Sequence, residues 1–96
     1  MSAYIIVDVK IYDPERYEDY KKLTPASLVP FEGKFIVRGG VTETLEGDWD
    51  PGRIVMLQFP STEKGKAWWS SDSYAPAKAL RQATSVTKMI LVEGVG

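Results

Sequence analysis

Arg38 is the residue whose type and position point most directly to chemistry, because it stands immediately before a glycine pair at positions 39–40. A guanidinium group can hold a carboxylate or a phosphate through two parallel hydrogen bonds, and glycines let a ligand approach the backbone closely. The alternative is a structural ion pair, for which the sequence offers Asp8, Glu46 and Glu93. Arg38 is therefore a candidate for ligand binding and catalysis, with the ion pair as the competing interpretation.

Asp8 and Glu93 are the candidate proton-transfer groups. They fall in the first and last predicted strands, so they can share one face of a sheet. Two carboxyl groups in a partly apolar setting can have raised pKa values and exchange protons with a substrate. The competing interpretation is that both are peripheral charges or partners of Arg and Lys.

Aromatic side chains are concentrated in the two predicted helical regions, where a ligand pocket could lie between helices and sheet. Aromatic residues at helical spacing more often form the core. Trp68 and Trp69 are adjacent in the sequence, so both cannot point inward. The candidate ligand-binding residues are Tyr17, Tyr20, Arg38, Trp68 and Tyr74.

The chain contains neither histidine nor cysteine. Disulfides, thiolate nucleophiles, imidazole bases and zinc sites built from His or Cys are therefore excluded, and the acidic residues do not have the spacing of a calcium loop. We expect no metal and no organic cofactor. The net charge of −1, without a basic stripe, argues against nucleic-acid binding, and the glycine pair lacks the spacing of a phosphate loop.

The sequence also indicates where the protein resides. Residues 1–10 lack a basic region followed by a long apolar run, so they do not resemble a signal peptide. No apolar stretch approaches the ~20 residues that a membrane span needs. We expect a cytoplasmic protein without membrane contact, folded as one domain over residues 1–96.

Four segments rich in β-branched and aromatic residues are predicted strands, namely residues 3–12, 34–38, 53–59 and 87–95. The second is expected to kink at the glycine pair and to continue in extended form over 42–46. Residues 47–52 have the composition of a turn, whose tip should project from the sheet. The second and third strands would then form a long hairpin.

Two helical regions separate the strands. The first opens at Asp13-Pro14, where Asp caps free amide groups and Pro fits the first helical position, and Pro25 is expected to break or restart it with Thr24 as a new cap. The second opens near residues 61–62, is interrupted at 70–73 and continues to 83. The order strand, helix, strand, strand, helix, strand predicts an α+β fold of ferredoxin-like βαββαβ type. Its four-stranded antiparallel sheet would carry both helical regions on one face.

The face of the sheet away from the helices predicts a homodimer. In the first strand Ile5, Val7 and Val9 form a purely aliphatic face, yet the opposite face is also partly apolar. An exposed apolar patch of this kind is unusual on a monomer. We expect a second copy of the sheet to cover it, with the interface burying Ile6, Ile54, Met56 and Leu91.

The surroundings of Arg38 depend on whether the odd-numbered or the even-numbered side chains of the second strand face the helices. If Phe35 and Val37 face the helices, Arg38 lies on the far face near the two candidate carboxylates. The opposite parity places Arg38 under the helices, near the tyrosines of the first helix.

Several short segments occur in an order that is found in a known family: FIVRGG at 35–40, LEG at 45–47, FPS at 59–61, WWSSDSY at 68–74, Arg81, and VEG at 92–94. On these residues the chain resembles the domain of unknown function 1330 family, within the dimeric α+β barrel superfamily. It differs at Asp72-Ser73, where the family usually has Pro-Glu, and at Trp69, where Tyr is more common. The resemblance implies a ferredoxin-like protomer whose sheet packs against that of a mate, and it implies no established activity.

Three functions follow as hypotheses. Related barrels include oxygenases of electron-rich aromatics and isomerases that work by proton transfer, so the first is a small-molecule enzyme of either type that needs no cofactor. The alternative is a non-catalytic dimer that binds or senses a small anionic or aromatic ligand, and the third is an assembly module. An enzyme needs a cavity with a polar group of perturbed pKa, a binder needs only the cavity, and in a module side chains fill it.

Overall fold

The computed structural model describes residues 2–95, which form four strands and three α-helices. The strands are β1 (Ala3–Ile11), β2 (Lys34–Arg38), β3 (Arg53–Phe59) and β4 (Ser85–Glu93). The helices are α1 (Pro14–Leu28), α2 (Thr62–Trp69) and α3 (Ala75–Thr84), with a short 3-10 helix at Val29–Phe31. The strands form one antiparallel sheet in the order β2-β3-β1-β4. The predicted ferredoxin-like fold is therefore confirmed.

Polar side chains define the starts of the helices. The Asp13 carboxylate accepts a hydrogen bond from the backbone N–H of Arg16 at 3.3 Å, and the Ser61 hydroxyl accepts one from the backbone N–H of Lys64 at 3.2 Å. The second helical region is divided, as predicted, and the Ser71 hydroxyl accepts from the backbone N–H of Tyr74 at 3.1 Å just before α3. Within residues 2–95, no helix combines the length and apolar character needed to cross a bilayer.

Pro25 lies inside α1 and does not interrupt it, so the predicted break with a new cap at Thr24 is wrong. A proline has no N–H to offer to the carbonyl four residues earlier, which here belongs to Lys21. That carbonyl instead accepts a hydrogen bond from Nη2 of Arg38 at 3.2 Å. A side chain from β2 thus supplies the donor that Pro25 lacks.

The two central strands bury their predicted face against the helices, through Ile5, Val7, Val9, Val55, Leu57 and Phe59. In β4, the side chains that were expected on the far face of the sheet lie on the helix side instead. Leu91 pairs with Ile5 and therefore points to the same side of the sheet, under the helices. The predicted place of Leu91 in a far-face interface is wrong, and Ile90, which pairs with Ile6, takes that position.

Strand β2 contains a bulge between Phe35 and Val37. Phe35 pairs with Leu57 and Arg38 pairs with Val55, so both lie on the helix side of the sheet although they are three positions apart. The alternative that placed Arg38 near the carboxylates is therefore wrong, and the alternative that placed it under the helices is correct.

Residues 39–52 connect β2 to β3 and include no strand, so the predicted long hairpin does not form beyond Arg38. The ladder ends as Gly39 adopts a left-handed backbone with φ of 72°. The Asp8 carboxylate holds the far end of this connection, because it accepts hydrogen bonds from the backbone N–H of Gly52 at 2.8 Å and from Nε1 of Trp49 at 3.1 Å. The connection is otherwise exposed, in agreement with the predicted projecting tip.

Candidate functional site

A small cavity of about 20 Å³ lies between α1 and the sheet, and we call it the α1 cavity. Tyr17, Tyr20, Arg38 and Trp68, which are four of the five predicted ligand-binding residues, line it. Its volume exceeds the roughly 10–15 Å³ that one water molecule needs, but it is far below that of a site for an organic molecule. The aromatic cluster is therefore mainly packed core around a water-sized space.

A chain of hydrogen bonds crosses this core. The hydroxyl groups of Tyr20 and Tyr74 are 3.0 Å apart, and Nε of Arg81 donates to the Tyr74 hydroxyl at 3.3 Å. Burial, followed by the neighbouring Tyr74, raises the pKa of Tyr20 well above its ordinary value of 10.0. Tyr20 thus stays protonated at physiological pH and serves as a neutral hydrogen-bonding group rather than as a base.

Trp68 closes the inner end of the same core. Its indole Nε1 donates to the Ser27 hydroxyl at 3.0 Å, and its ring centroid lies 4.0 Å from that of Tyr74. Its side chain is fully buried. All the hydrogen-bonding capacity of this indole is used within the protein, so nothing of it remains for a ligand.

Tyr17 and Arg53 lie together at the other end of the α1 cavity. Nη1 of Arg53 donates to the Tyr17 hydroxyl at 3.2 Å. Burial raises the pKa of Tyr17 and the neighbouring Tyr20 adds to the rise, while Arg53 opposes it. Arg53 was not among the predicted site residues, because its position at the start of β3 becomes significant only through the cavity.

The predicted pair of carboxylates does not form within the protomer. Asp8 pairs with Lys88 and Glu93 pairs with Ala3, near opposite ends of the β1–β4 ladder. Side chains at odd and even positions of β1 point to opposite faces, so Asp8 also lies on the face away from Ala3 and Glu93. Asp8 instead positions the 39–52 connection, and Glu93 is exposed.

A second and much larger space, which we call the β4 groove, has a volume of about 660 Å³. It lies between α2, α3 and β4, and its apolar lining includes Trp69, Met89 and Leu91. Arg81 lines it as well, although only 5% of the residue is exposed. The volume falls in the range of about 300–1,000 Å³ that is typical of small-molecule sites.

The guanidinium group of Arg81 has no carboxylate partner among residues 2–95, whose ion pairs all involve other basic residues. Its one side-chain hydrogen bond goes to Tyr74. No fully buried polar side-chain atom in the described part of the chain lacks a partner, so the remaining guanidinium nitrogens keep some contact with solvent. Unpaired positive charge in a largely apolar groove favours an anionic ligand.

Arg81 was not predicted as a site residue, but the sequence carried a signal. Ala77, Arg81 and Thr84 are the buried residues of α3, and their spacing is that of one helical face. A charged residue on an apolar helical face is rarely buried unless it is paired or functional. The spacing pattern by itself therefore indicates Arg81 as a candidate functional residue.

Both spaces lack the acidic side chains that proton transfer or metal binding would use. Neither lining includes an aspartate or a glutamate. Within residues 2–95, no cluster of three or more metal-ligating side chains is found. The arrangement supports binding and orientation of an anion by arginine more directly than proton abstraction by a protein base.

The fold and the two spaces beneath its helices define a ferredoxin-like α+β protein with a groove of small-molecule size. The family model described as Domain of unknown function (DUF1330) matches residues 2–95, and the chain belongs to that family. This confirms the family suggested by the short sequence segments. A search of curated proteins gave no match.

Solved structures with the same fold share little sequence with this chain. A protein of unknown function from Rhodopseudomonas palustris is similar with a TM-score of 0.80 and 17% identity, covering 99% of this chain and 83% of that one. SnoaB, a cofactor-independent oxygenase from Streptomyces nogalater, has a TM-score of 0.70 and 14% identity, with 99% and 94% covered. A dimeric ferredoxin-like protein of unknown function from Jannaschia sp. CCS1 has a TM-score of 0.73 and 11% identity, with 98% and 100% covered.

Proposed function

We propose that the protein is a homodimeric small-molecule binding protein whose β4 groove takes an organic acid with an apolar or aromatic body. One observation carries the proposal: Arg81, which is nearly buried and has no carboxylate partner among residues 2–95, lines a groove of small-molecule size. A buried charge without a partner is costly. A ligand carboxylate would provide the missing charge and a bidentate set of hydrogen bonds.

The apolar part of the ligand would lie against the rest of the groove. Met89 and Leu91 supply an apolar floor from β4, and Trp69 is 43% exposed at the side of the groove. The Lys78 ammonium lies 3.9 Å from the centroid of the Trp69 ring, which fixes one face of the indole and leaves its other surroundings open. A flat aromatic acid matches this combination of a charged end and an apolar wall.

The dimer would form through the far face of the sheet. Ile6, Ile54, Met56 and Ile90 lie there on neighbouring strands, and their side chains are only partly buried in the single chain. The solved neighbour from Jannaschia is described as dimeric, which supports the same assembly for this chain. Ile90 also lines the β4 groove, so the interface of this dimer would border the groove.

An oxygenase that needs no cofactor is the second candidate. The observation in its favour is again Arg81, because a guanidinium in an apolar groove would stabilise the ionised form of a phenol or enol, the electron-rich form that reacts with dioxygen. The similar fold of SnoaB is consistent with this candidate. A proton-transfer isomerase has less support, because no carboxylate lines the groove.

Matched ligands and variants test the proposal. We expect 1-naphthoate to bind and to raise the unfolding temperature, and 1-naphthamide, which has the same shape but no charge, to have little effect. At 100 times its dissociation constant a ligand adds about 2.7 kcal/mol of stability. Arg81→Lys keeps the charge but loses the planar fork, and we expect calorimetric affinity to fall about tenfold or more.

The control is Arg16→Lys, an exposed arginine whose ion-pair partner is Asp13. It should bind 1-naphthoate like the wild type. Equal binding of acid and amide, or equal affinities in the two variants, would refute the acid site. Oxygen uptake with a hydroxylated naphthoate, lost in Arg81→Lys, would establish the oxygenase, whereas binding without uptake would establish a binding protein.

A further inference from the structure

Two more arginines line the α1 cavity, and neither forms an ion pair among residues 2–95. Arg38 and Arg53 both line this cavity, whose lining includes no aspartate or glutamate. Among residues 2–95, no carboxylate lies within ion-pair distance of either guanidinium. Two like charges at one small opening repel each other unless an anion lies between them.

The backbone is shaped to bring these two side chains together. The β2 bulge turns Arg38 to the helix side, where it pairs with Val55, two positions after Arg53. Gly39 follows with φ of 72°, and a Cβ atom built there would lie 2.8 Å from Nε of Arg53. The left-handed conformation favours glycine at this position. Gly39, the first residue of the pair that was predicted to admit a ligand, thus lies against the side chain of Arg53.

Each guanidinium is held by one hydrogen bond and keeps other donors free. Arg38 is anchored on the Lys21 carbonyl that Pro25 leaves without a donor, and its guanidinium stacks 4.2 Å from the centroid of the Phe35 ring. Arg53 is anchored on the Tyr17 hydroxyl oxygen at 3.2 Å. A guanidinium carries five N–H donors, so most of the donors of each arginine remain available.

The third potential donor is the Tyr17 hydroxyl. Its oxygen accepts from Arg53, so its own hydrogen is free to point into the cavity. The other basic group at the opening is already engaged, because Nζ of Lys21 lies 2.8 Å from the Glu18 carboxylate. The two arginines and the tyrosine are therefore the groups that would receive an anion.

We propose that the opening of the α1 cavity is a second binding site, for a phosphate group held between Arg38 and Arg53 with the Tyr17 hydroxyl as a further donor. The cavity of about 20 Å³ accommodates one phosphate oxygen, and the remaining oxygens lie at the exposed opening beside Arg38. A phosphate carries about −1.5 to −2 charges at neutral pH, which balances the two arginines. The phosphate is free in solution or terminal on a larger molecule, since the exposed opening admits both.

Titration calorimetry with inorganic phosphate at low ionic strength tests this site. We expect the wild type to bind, and Arg38→Gln and Arg53→Gln each to lose about tenfold or more in affinity, as removal of a charge-assisted contact does. Arg16→Gln, which removes an exposed arginine elsewhere on α1, is the control and should bind like the wild type. Equal losses in all three variants would show a general charge effect and overturn the site, as would unchanged binding in Arg38→Gln.

Two further measurements keep the test independent. Arg53→Lys retains the charge beside Tyr17, so a folded Arg53→Lys variant should retain part of the phosphate affinity that Arg53→Gln loses. The affinities for phenyl phosphate and for inorganic phosphate are then compared. Tighter binding of phenyl phosphate indicates a terminal phosphate group on a larger molecule, and tighter binding of inorganic phosphate indicates the free ion. Saturating 1-naphthoate should leave the phosphate affinity unchanged, so failure of the β4 groove proposal and failure of this one give different results.

Discussion

The adjacent tryptophans of α2 lie in two contrasting regions, the packed core around the α1 cavity and the open β4 groove. Trp68 is fully buried and donates to Ser27, whereas Trp69 is 43% exposed and contacts only one side of the groove. Consecutive helical residues point about 100° apart, so one turn of α2 serves both regions.

The packed core and the β4 groove differ in whether their polar side chains have partners within the protein. In the core, the hydroxyl groups of Tyr20 and Tyr74 and the indole of Trp68 have partners within the protein. In the groove, the Arg81 guanidinium has one such partner and no acid among residues 2–95. Aromatic residues are abundant in both regions, so the incompletely paired charge is the better indicator of a ligand site.

The largest expected effect is the difference in stability between the two tryptophans. Trp68→Ala removes a fully buried side chain and leaves Ser27 without its donor, so we expect a loss of about 3–5 kcal/mol in the free energy of unfolding. Trp69→Ala should lose less than about 1 kcal/mol. Urea unfolding of the two variants measures both values. Similar losses would mean that Trp69 also belongs to the core.

The next effect is an alkaline loss of stability that is specific to the core. Burial raises the pKa values of Tyr17 and Tyr20 above 10.0, so their stabilising contribution is complete below that pH and is lost as the pH rises above it. Each group should cost up to about 1.4 kcal/mol per pH unit in that range. Tyr20→Phe should flatten the decline in a pH series of urea midpoints.

Tyr12→Phe is the matched control, because the Tyr12 side chain is exposed and its hydroxyl donates to a backbone carbonyl at 2.8 Å. The urea midpoint of Tyr12→Phe should fall with rising pH as steeply as that of the wild type. An unchanged slope in Tyr20→Phe would show that this tyrosine does not remain neutral through burial.

The smallest effect concerns Asp8, on the far face of the sheet. Asp8→Ala removes the acceptor for Gly52 and Trp49, so we expect the 39–52 connection to be cleaved faster by protease at a cost of about 1–3 kcal/mol in stability. Binding of 1-naphthoate should not change. A loss of binding with unaltered proteolysis would restore Asp8 as a site residue and weaken the distinction between the two faces.

The sequence predicted the order of elements and the inner faces of β1 and β3, because polar residues interrupt the apolar pattern of β1 and fix its parity. In β4, apolar residues occupy both parities from Met89 to Val92, so periodicity could not choose the buried face. The β2 bulge was also invisible, since a single extra residue changes the direction of Arg38 without any change in composition.

Pro25 and Arg81 show how tertiary contacts decide what local rules cannot. At Pro25, where the local rule ends a helix, Arg38, distant in sequence, supplies a donor to the free carbonyl of Lys21. Arg81 was overlooked because the groove between α2, α3 and β4 forms only through tertiary packing. Its place on the buried face of α3 was nevertheless readable from spacing alone.

The indole N–H signals of Trp68 and Trp69 provide the most direct test of the central claim. In a titration of ¹⁵N-labelled protein with 1-naphthoate, followed by NMR and assigned with Trp→Phe variants, we predict that the Trp69 signal shifts progressively. The Trp68 signal, whose N–H is bonded to Ser27, should stay in place. A shift of Trp68 with Trp69 unchanged would place the ligand in the α1 cavity and contradict the account.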